Sequence, residues 1–338
     1  MAIPVTYAAD EFYVTPYCSE TASGPSECVV GVVPVYSNTE VTFVMPSYPV
    51  TLTSGDIAGK NVLQASESLS DLIYFGEVKF LQGNNFAGMK ILSNQSMHVF
   101  VGNTMGTFYT GSNSDFTEEQ LMPVNKWGLT YLVAKSSVTD ERIWITASKA
   151  DTNVKIVSDS SSCTKYSITS PGEFLDLVIS EDVYYIFADK PVGITHFILR
   201  SKGLMYAMYC VTPIDQFDTE AVSFVQQSTG TGDEEIKFAA AVIFTNTTMT
   251  SSLIFDGTAL LNSTGWKEIP YSGMSVTTVP LTTRQTHTFQ QWEYGGTLGG
   301  YVFGYDRYAI LRMRSSSVIE IWKRVVMARV MTLTSTTQ

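Results

Sequence analysis

Three histidines, His98, His196 and His287, are the only side chains of this 338-residue chain whose ordinary pKa suits proton transfer near neutral pH. Nucleophilic catalysis of the Ser-His-Asp kind needs an imidazole oriented beside an activated hydroxyl, and no Gly-x-Ser-x-Gly elbow accompanies any of the three. His98 alternates with Phe100, the spacing of a strand face. Paired carboxylates stand at Glu118-Glu119 and at Asp233-Glu234-Glu235. Acid–base work on a glycosidic bond needs two carboxyls whose pKa values are split by their surroundings, and polar loop sequence leaves both groups solvated. The second group follows Gly230 and Gly232 but lacks an EF-hand pattern. Gly295-Gly296-Thr297-Leu298-Gly299-Gly300 lacks the terminal Lys of a phosphate loop and reads as a flexible hairpin connection. No catalytic, cofactor or metal site is expected.

Cys18, Cys28, Cys163 and Cys210 form no CxxC pair and have no histidine at metal-ligand spacing. Four cysteines allow three pairings, and four free thiols are the competing reading. The turn-forming Ser23-Gly24-Pro25-Ser26 favours Cys18 with Cys28, which leaves Cys163 with Cys210. Asn94, Asn246 and Asn262 each open an Asn-x-Ser/Thr triplet, the acceptor for N-glycosylation.

Composition bounds what these residues serve. Hydrophobic residues make up 44% and aromatics 12%, enough to build cores, while charged residues are only 16% and Ser and Thr fill the polar positions. A net charge of −11 gives no basic footprint for nucleic acid or an anionic membrane. No run reaches the roughly 20 apolar residues of a membrane span, and Met1-Ala2-Ile3-Pro4 lacks the basic start of a signal peptide.

The elements that must position everything are short β-branched and aromatic runs between Gly, Asn, Asp, Ser and Pro clusters, as at 40–44, 97–101, 142–146, 153–157 and 301–303. In Arg142-Ile143-Trp144-Ile145-Thr146 the isoleucines share one face and Trp144 and Thr146 the other. Residues 318–325 fit a helix or a terminal strand equally. A strand, a polar corner and a second strand recur around Asn94, Asp189 and Asp306, spaced 95 and 117 apart. A tight turn into an alternating strand recurs at Asn38-Thr39, Asp151-Thr152 and Asn246-Thr247. Pro123-Val124-Asn125-Lys126-Trp127-Gly128 pairs with Pro213-Ile214-Asp215-Gln216-Phe217-Asp218 at an offset of 90. The expectation is an all-β chain of tandem antiparallel sandwich-like units: 1–104, 105–200 and 201–330, then a Thr/Ser-rich tail at 331–338 that resembles the start of a stalk. Cys163 and Cys210 would then bridge adjacent units.

The strand corner at 91–99, the Pro to Trp-Gly and Tyr element at 123–133 and the Asp-Thr-x-Val turn at 147–156 together resemble the N-terminal domain family of the IgG Fc-binding protein. Ser170-Pro171-Gly172-Glu173-Phe174 and Phe187-Ala188-Asp189-Lys190-Pro191-Val192 extend the resemblance to about residues 30–315. Phe217-Asp218 departs from the family's Trp-Gly, and the sequence after Ser228 matches loosely. The resemblance implies a secreted or surface-displayed protein without enzymatic activity, often joined to adhesive modules. Immunoglobulin binding does not transfer, because these motifs define no contact residue for it.

The expected function is therefore non-catalytic recognition of an extracellular protein or glycan. The alternative is a self-associating component of mucus, cuticle or matrix. Candidate contact residues are Ser137, Thr139 and Asp140 in the middle unit, which has no glycan acceptor, within loops at 111–119 and 136–142. Trp292 and Tyr294 form a second candidate, an aromatic platform.

Overall fold

A computed structural model describes residues 7–16, 20–21, 24–25, 27–106, 115–136, 140–160, 162–199, 206–217, 221–225, 238–260, 265–281, 286–293 and 295–305. The first group of strands is β1 (Ala9–Tyr13), a small hairpin of β2 (Glu20–Thr21) and β3 (Gly24–Pro25), then β4 (Cys28–Pro34), β5 (Thr39–Val44), β6 (Val50–Ser54), β7 (Val62–Leu63), β8 (Ser68–Ile73), β9 (Lys79–Gly83), β10 (Lys90–Gly106) and β11 (Asp115–Gln120). Their sheet runs β7-β6-β9-β4-β10-β5-β8, with β1 and β11 also on β10. The alternation is that of a half-buried strand: in β5, Val41 and Phe43 are buried while Glu40, Thr42 and Val44 are not.

The 17-residue β10 is the hub. Its first half pairs with β5 and β1, and its second half with β4 and β11. At Met97 the chain is flanked by both Pro34 and Ala9, so β4 and β1 lie on opposite sides of it. β4 and β5 thus follow one another along one side, separated by the turn at 35–38. The second group repeats the plan: β12 (Gly128–Ala134), β13 (Asp140–Ala147), β14 (Thr152–Ser158), β15 (Cys163–Ile168), β16 (Phe174–Val178), β17 (Val183–Leu199) and β18 (Tyr206–Cys210). Here the order is β15-β14-β17-β13-β16, with β12 and β18 on the 17-residue hub β17. Even the bulge recurs: β1 shifts register between Ala9 and Glu11, and β12 between Gly128 and Thr130.

The repeated corner and the repeated turn, separate motifs in the sequence, meet in space. Asn94 Oδ1 accepts the Glu40 backbone N–H at 3.0 Å, and Asp189 Oδ1 accepts that of Asn153 at 2.8 Å. Asn38 and Asp151, the last residue of each turn, take positive φ, and Thr39 and Thr152 donate their hydroxyls to carbonyls three residues back. The corner side chain therefore ties the hub to the turn that separates its two flanking strands.

The third group is β19 (Ala221–Val225), β20 (Phe238–Asn246), β21 (Leu253–Phe255), β22 (Thr258–Ala259), β23 (Lys267–Ile269), β24 (Met274–Pro280), β25 (Thr286–Gln291) and β26 (Leu298–Tyr305). It forms two sheets, β19-β25-β21-β22 and β23-β24-β20-β26. By its partners, β25 does the work of the first half of a hub and β26 that of the second, so the hub is broken at 292–297. This corrects the sequence alignment, which set the third corner at Asp306, outside the described residues. Asn246-Thr247 likewise opens a 3-10 segment (Thr247–Ser252) rather than a tight turn into a strand.

Neighbouring units share cores. One buried cluster joins Phe12, Phe43 and Ile91 of the first sheet to Trp144, Phe197, Met208 and Cys210 of the second. Another joins Ile143, Ile145 and Ile186 to Val242, Phe244 and Tyr301. In β13 the isoleucines share a face as expected, but the opposite face is covered too: Trp144 stacks on Phe174 at 4.2 Å between centroids. The all-β, sandwich-like architecture read from the sequence is the one found.

Candidate interaction surface

The most conspicuous exposed feature lies on the outward face of the first sheet. Leu72, the penultimate residue of β8, is exposed, the connection to β9 carries Tyr74, Phe75 and Val78, and Phe80 follows on β9. Phe75 is 68% exposed and Tyr36, on the neighbouring turn, 56%. The Phe75 backbone N–H reaches Ser37 Oγ at 3.4 Å, which holds the connection against that turn. Glu77 accepts the Tyr74 backbone N–H at 3.2 Å and closes the loop. Across the ladder Phe80 is paired with Gly31, and Gly31 with Phe100. A methyl group on Gly31 would lie 3.8 Å from Phe100 Cβ and 3.9 Å from Val78 Cγ1, so glycine leaves a shallow trough between them. Scattered exposed apolar residues are ordinary on any protein, whereas a contiguous group with rigid aromatic rings marks a contact surface. The signal was present in Leu72-Ile73-Tyr74-Phe75-Gly76-Glu77-Val78-Lys79-Phe80: aromatic residues continue through a glycine turn where polar residues are the rule.

Of the candidate contact residues, Trp292 is 77% exposed beside the break in the third hub. Tyr294, Ser137 and Thr139 lie outside the described residues, as does the side chain of Asp140 at the start of β13. The stretches read as loops at 111–119 and 136–142 are in part strand. Glu118 and Glu119 lie on β11, where Glu118 is exposed and Glu119 buried, rather than both in a solvated loop.

Each of the three histidines has a polar side-chain partner. His196 sits with Glu141 in full burial: its Nε2 is 2.7 Å from Glu141 Oε2 and its Nδ1 2.6 Å from Tyr209 Oη. Ser136 donates to Glu141 Oε1 at 2.5 Å, and Tyr301 of the third unit donates to the Ala134 carbonyl at 2.6 Å. Burial pushes the Tyr301 phenol well above its ordinary pKa. Ser136, Glu141 and His196 of this Ser-Glu-His-Tyr chain are all buried. His98 is paired with Gln120 on the strand face, its pKa lowered by burial, and His287 with Asp256. The described residues contain no group of three or more possible metal ligands.

The cysteine expectation is corrected. Neither Cys163 nor Cys210 forms a disulfide, and both lie on strands of the same sheet, the one built on β17. Cys163 is on β15, reached through β14 from the first half of the hub, whereas Cys210 is on β18 against the second half. A disulfide needs Cα atoms within about 7 Å, which this placement forbids. Cys28 is disulfide-bonded; Cys18, its expected partner, lies outside the described residues. Among the acceptor asparagines, Asn94 is exposed at its corner. Asn246 is held at both ends, Oδ1 by the Thr297 N–H at 2.7 Å and Nδ2 against Met274 Sδ at 3.6 Å. Asn262 lies outside the described residues.

No described helix is long and apolar enough to cross a membrane. Comparison with curated proteins and with solved structures gave no match. A family model described as IgGFc binding protein matches residues 1–304, which include every described strand except the last residue of β26. The chain, with its repeated hub-and-corner units, belongs to the IgGFc binding protein family.

Proposed function

We propose that the protein is an extracellular, non-catalytic module that binds a protein partner through the aromatic face of its first unit. The observation that carries this reading is the contiguous exposure of Tyr36, Tyr74, Phe75, Val78 and Phe80 on a sheet whose other face is a packed core. Aromatic side chains give large contact area with few rotors to freeze, the property of interface anchors. Family membership supports an extracellular, protein-binding role. The face is preferred to the stretch around Ser137, Thr139 and Asp140 because it supplies aromatic anchors, which residues 136–142 lack. A glycan is the second reading, favoured by Trp292, whose exposed ring offers a stacking platform.

The test captures partners from extracellular extracts on the wild-type protein and on a Tyr74→Ser/Phe75→Ser variant whose circular dichroism matches it. A partner identified by mass spectrometry should then bind the purified wild type saturably and the variant at least about tenfold more weakly. Equal binding to both proteins would overturn the surface assignment. Loss on Trp292→Ala instead, with release by free sugar, would move the function to the glycan reading.

A further inference from the structure

Charge is distributed unevenly along the chain. Residues 1–122 hold twelve Asp and Glu against three lysines and no arginine, a formal charge of −9 out of −11. The remaining residues are nearly balanced, with 20 acids and 18 bases. All three lysines of the first unit are already engaged: Lys60 with Glu67 at 2.5 Å, Lys79 with Asp71, and Lys90 with Glu11 at 2.8 Å. Around the aromatic face the exposed carboxylates are Glu77 in the loop itself, Glu40 opposite Leu72 across the β5–β8 ladder, and Glu118 two residues from Gln120, the neighbour of Phe100. Among the described residues no lysine or arginine pairs with any of these three.

An apolar anchor seated on this face strips water from the carboxylates around it. An acidic or neutral occupant would leave them less solvated and uncompensated, whereas a basic one turns the same desolvation into attraction. A second copy of the chain is disfavoured, since it would bring another −9 unit against the first, and an anionic membrane is repelled for the same reason. We infer that the face takes a basic polypeptide, with aliphatic or aromatic side chains in the trough over Gly31 and Lys or Arg at the rim formed by Glu40, Glu77 and Glu118. This rests on reading the face as the protein-binding surface. Arginine suits it best, because its planar guanidinium can stack on Tyr74 or Phe75 while meeting a carboxylate.

The test selects short random displayed peptides on the full chain and measures the enriched sequences as synthetic fluorescent peptides. Enriched peptides should combine an apolar core with an excess of Lys and Arg, and should weaken at least about tenfold on Phe75→Ser. They should also weaken by about tenfold on Glu40→Lys/Glu77→Lys and at raised salt. Peptides without a basic excess that ignore the charge reversal but still need Phe75 would overturn the charge inference and leave the surface standing. Peptides that bind the Phe75→Ser variant undiminished would overturn the surface itself, and a selection without enrichment counts against both.

Discussion

Trp127 covers Gly193 so closely that a methyl group on the glycine would come 2.5 Å from Cε2 of the indole. Phe217 does the same to Gly299, with 2.4 Å to its Cδ1. Each aromatic closes a 3-10 turn opened by a proline, Pro123 and Pro213, with matching backbone angles. Each glycine lies at the start of the second half of a hub. The two turns also touch, since Gln216 Nε2 donates to the Lys126 carbonyl at 2.5 Å. Gly193→Ala and Gly299→Ala should each destabilise by about 1–3 kcal/mol through overpacking. Gly31→Ala, with only ordinary contacts around it, should stay within about 0.5 kcal/mol of wild type. Urea denaturation of the three variants checks the contrast.

The buried Glu141–His196 pair makes a second prediction. Removing either partner leaves the other buried and uncompensated, so Glu141→Ala or His196→Ala should cost about 3–5 kcal/mol. Tyr209→Phe removes only the hydroxyl near His196 Nδ1 and should cost about 1–3 kcal/mol. A double-mutant cycle on equilibrium unfolding measures the coupling, and additive losses would show that the contacts act independently.

The corners give a pH dependence. Hydrogen bonds from Asn153, side chain and then backbone, hold the Asp189 carboxyl below its ordinary value, and those from Thr169 and Ser170 do the same for Glu173. A carboxyl depressed on folding stabilises the native state above its unfolded pKa of about 4, and that contribution is lost as pH falls through the lower folded value. Melting temperature should therefore fall as pH drops below about 4, and Asp189→Asn should flatten part of that fall. An unchanged profile in the variant would refute the assignment.

Much of this architecture was legible in the sequence, because period-two alternation survives wherever one face is wet. The turns at Asn38 and Asp151 and the corners at Asn94 and Asp189 stood out as repeats. That Asn94 and Asp189 tie those turns down was not legible, since the bonded residues are 54 and 36 positions apart. The third unit was misaligned because its hub is split by 292–297, which shifts every later offset. Period-two alternation placed Trp144 opposite Ile143 and Ile145 but could not say what covers that face, because Phe174 and Phe197, which pack on it, are 30 and 53 positions away. The Cys163–Cys210 bridge failed for a related reason: an even cysteine count says nothing about distance.

Thiol reactivity follows from the cysteine placement. Among Cys28, Cys163 and Cys210, only exposed Cys163 should react with a thiol reagent in native protein, and buried Cys210 should join it on unfolding. Cys28 should react only after reduction. Alkylation with peptide mapping distinguishes the three, and native labelling of Cys210 would contradict its burial.

The measurement that bears most directly on the aromatic face is site-specific photocrosslinking in an extracellular extract. A benzophenone side chain placed at Phe75 should give a discrete, saturable crosslink to one protein, while the same group at Trp292 should give none. A crosslink from Trp292 alone, or none from Phe75 at any concentration of extract, would contradict the assignment of the binding surface to the first unit.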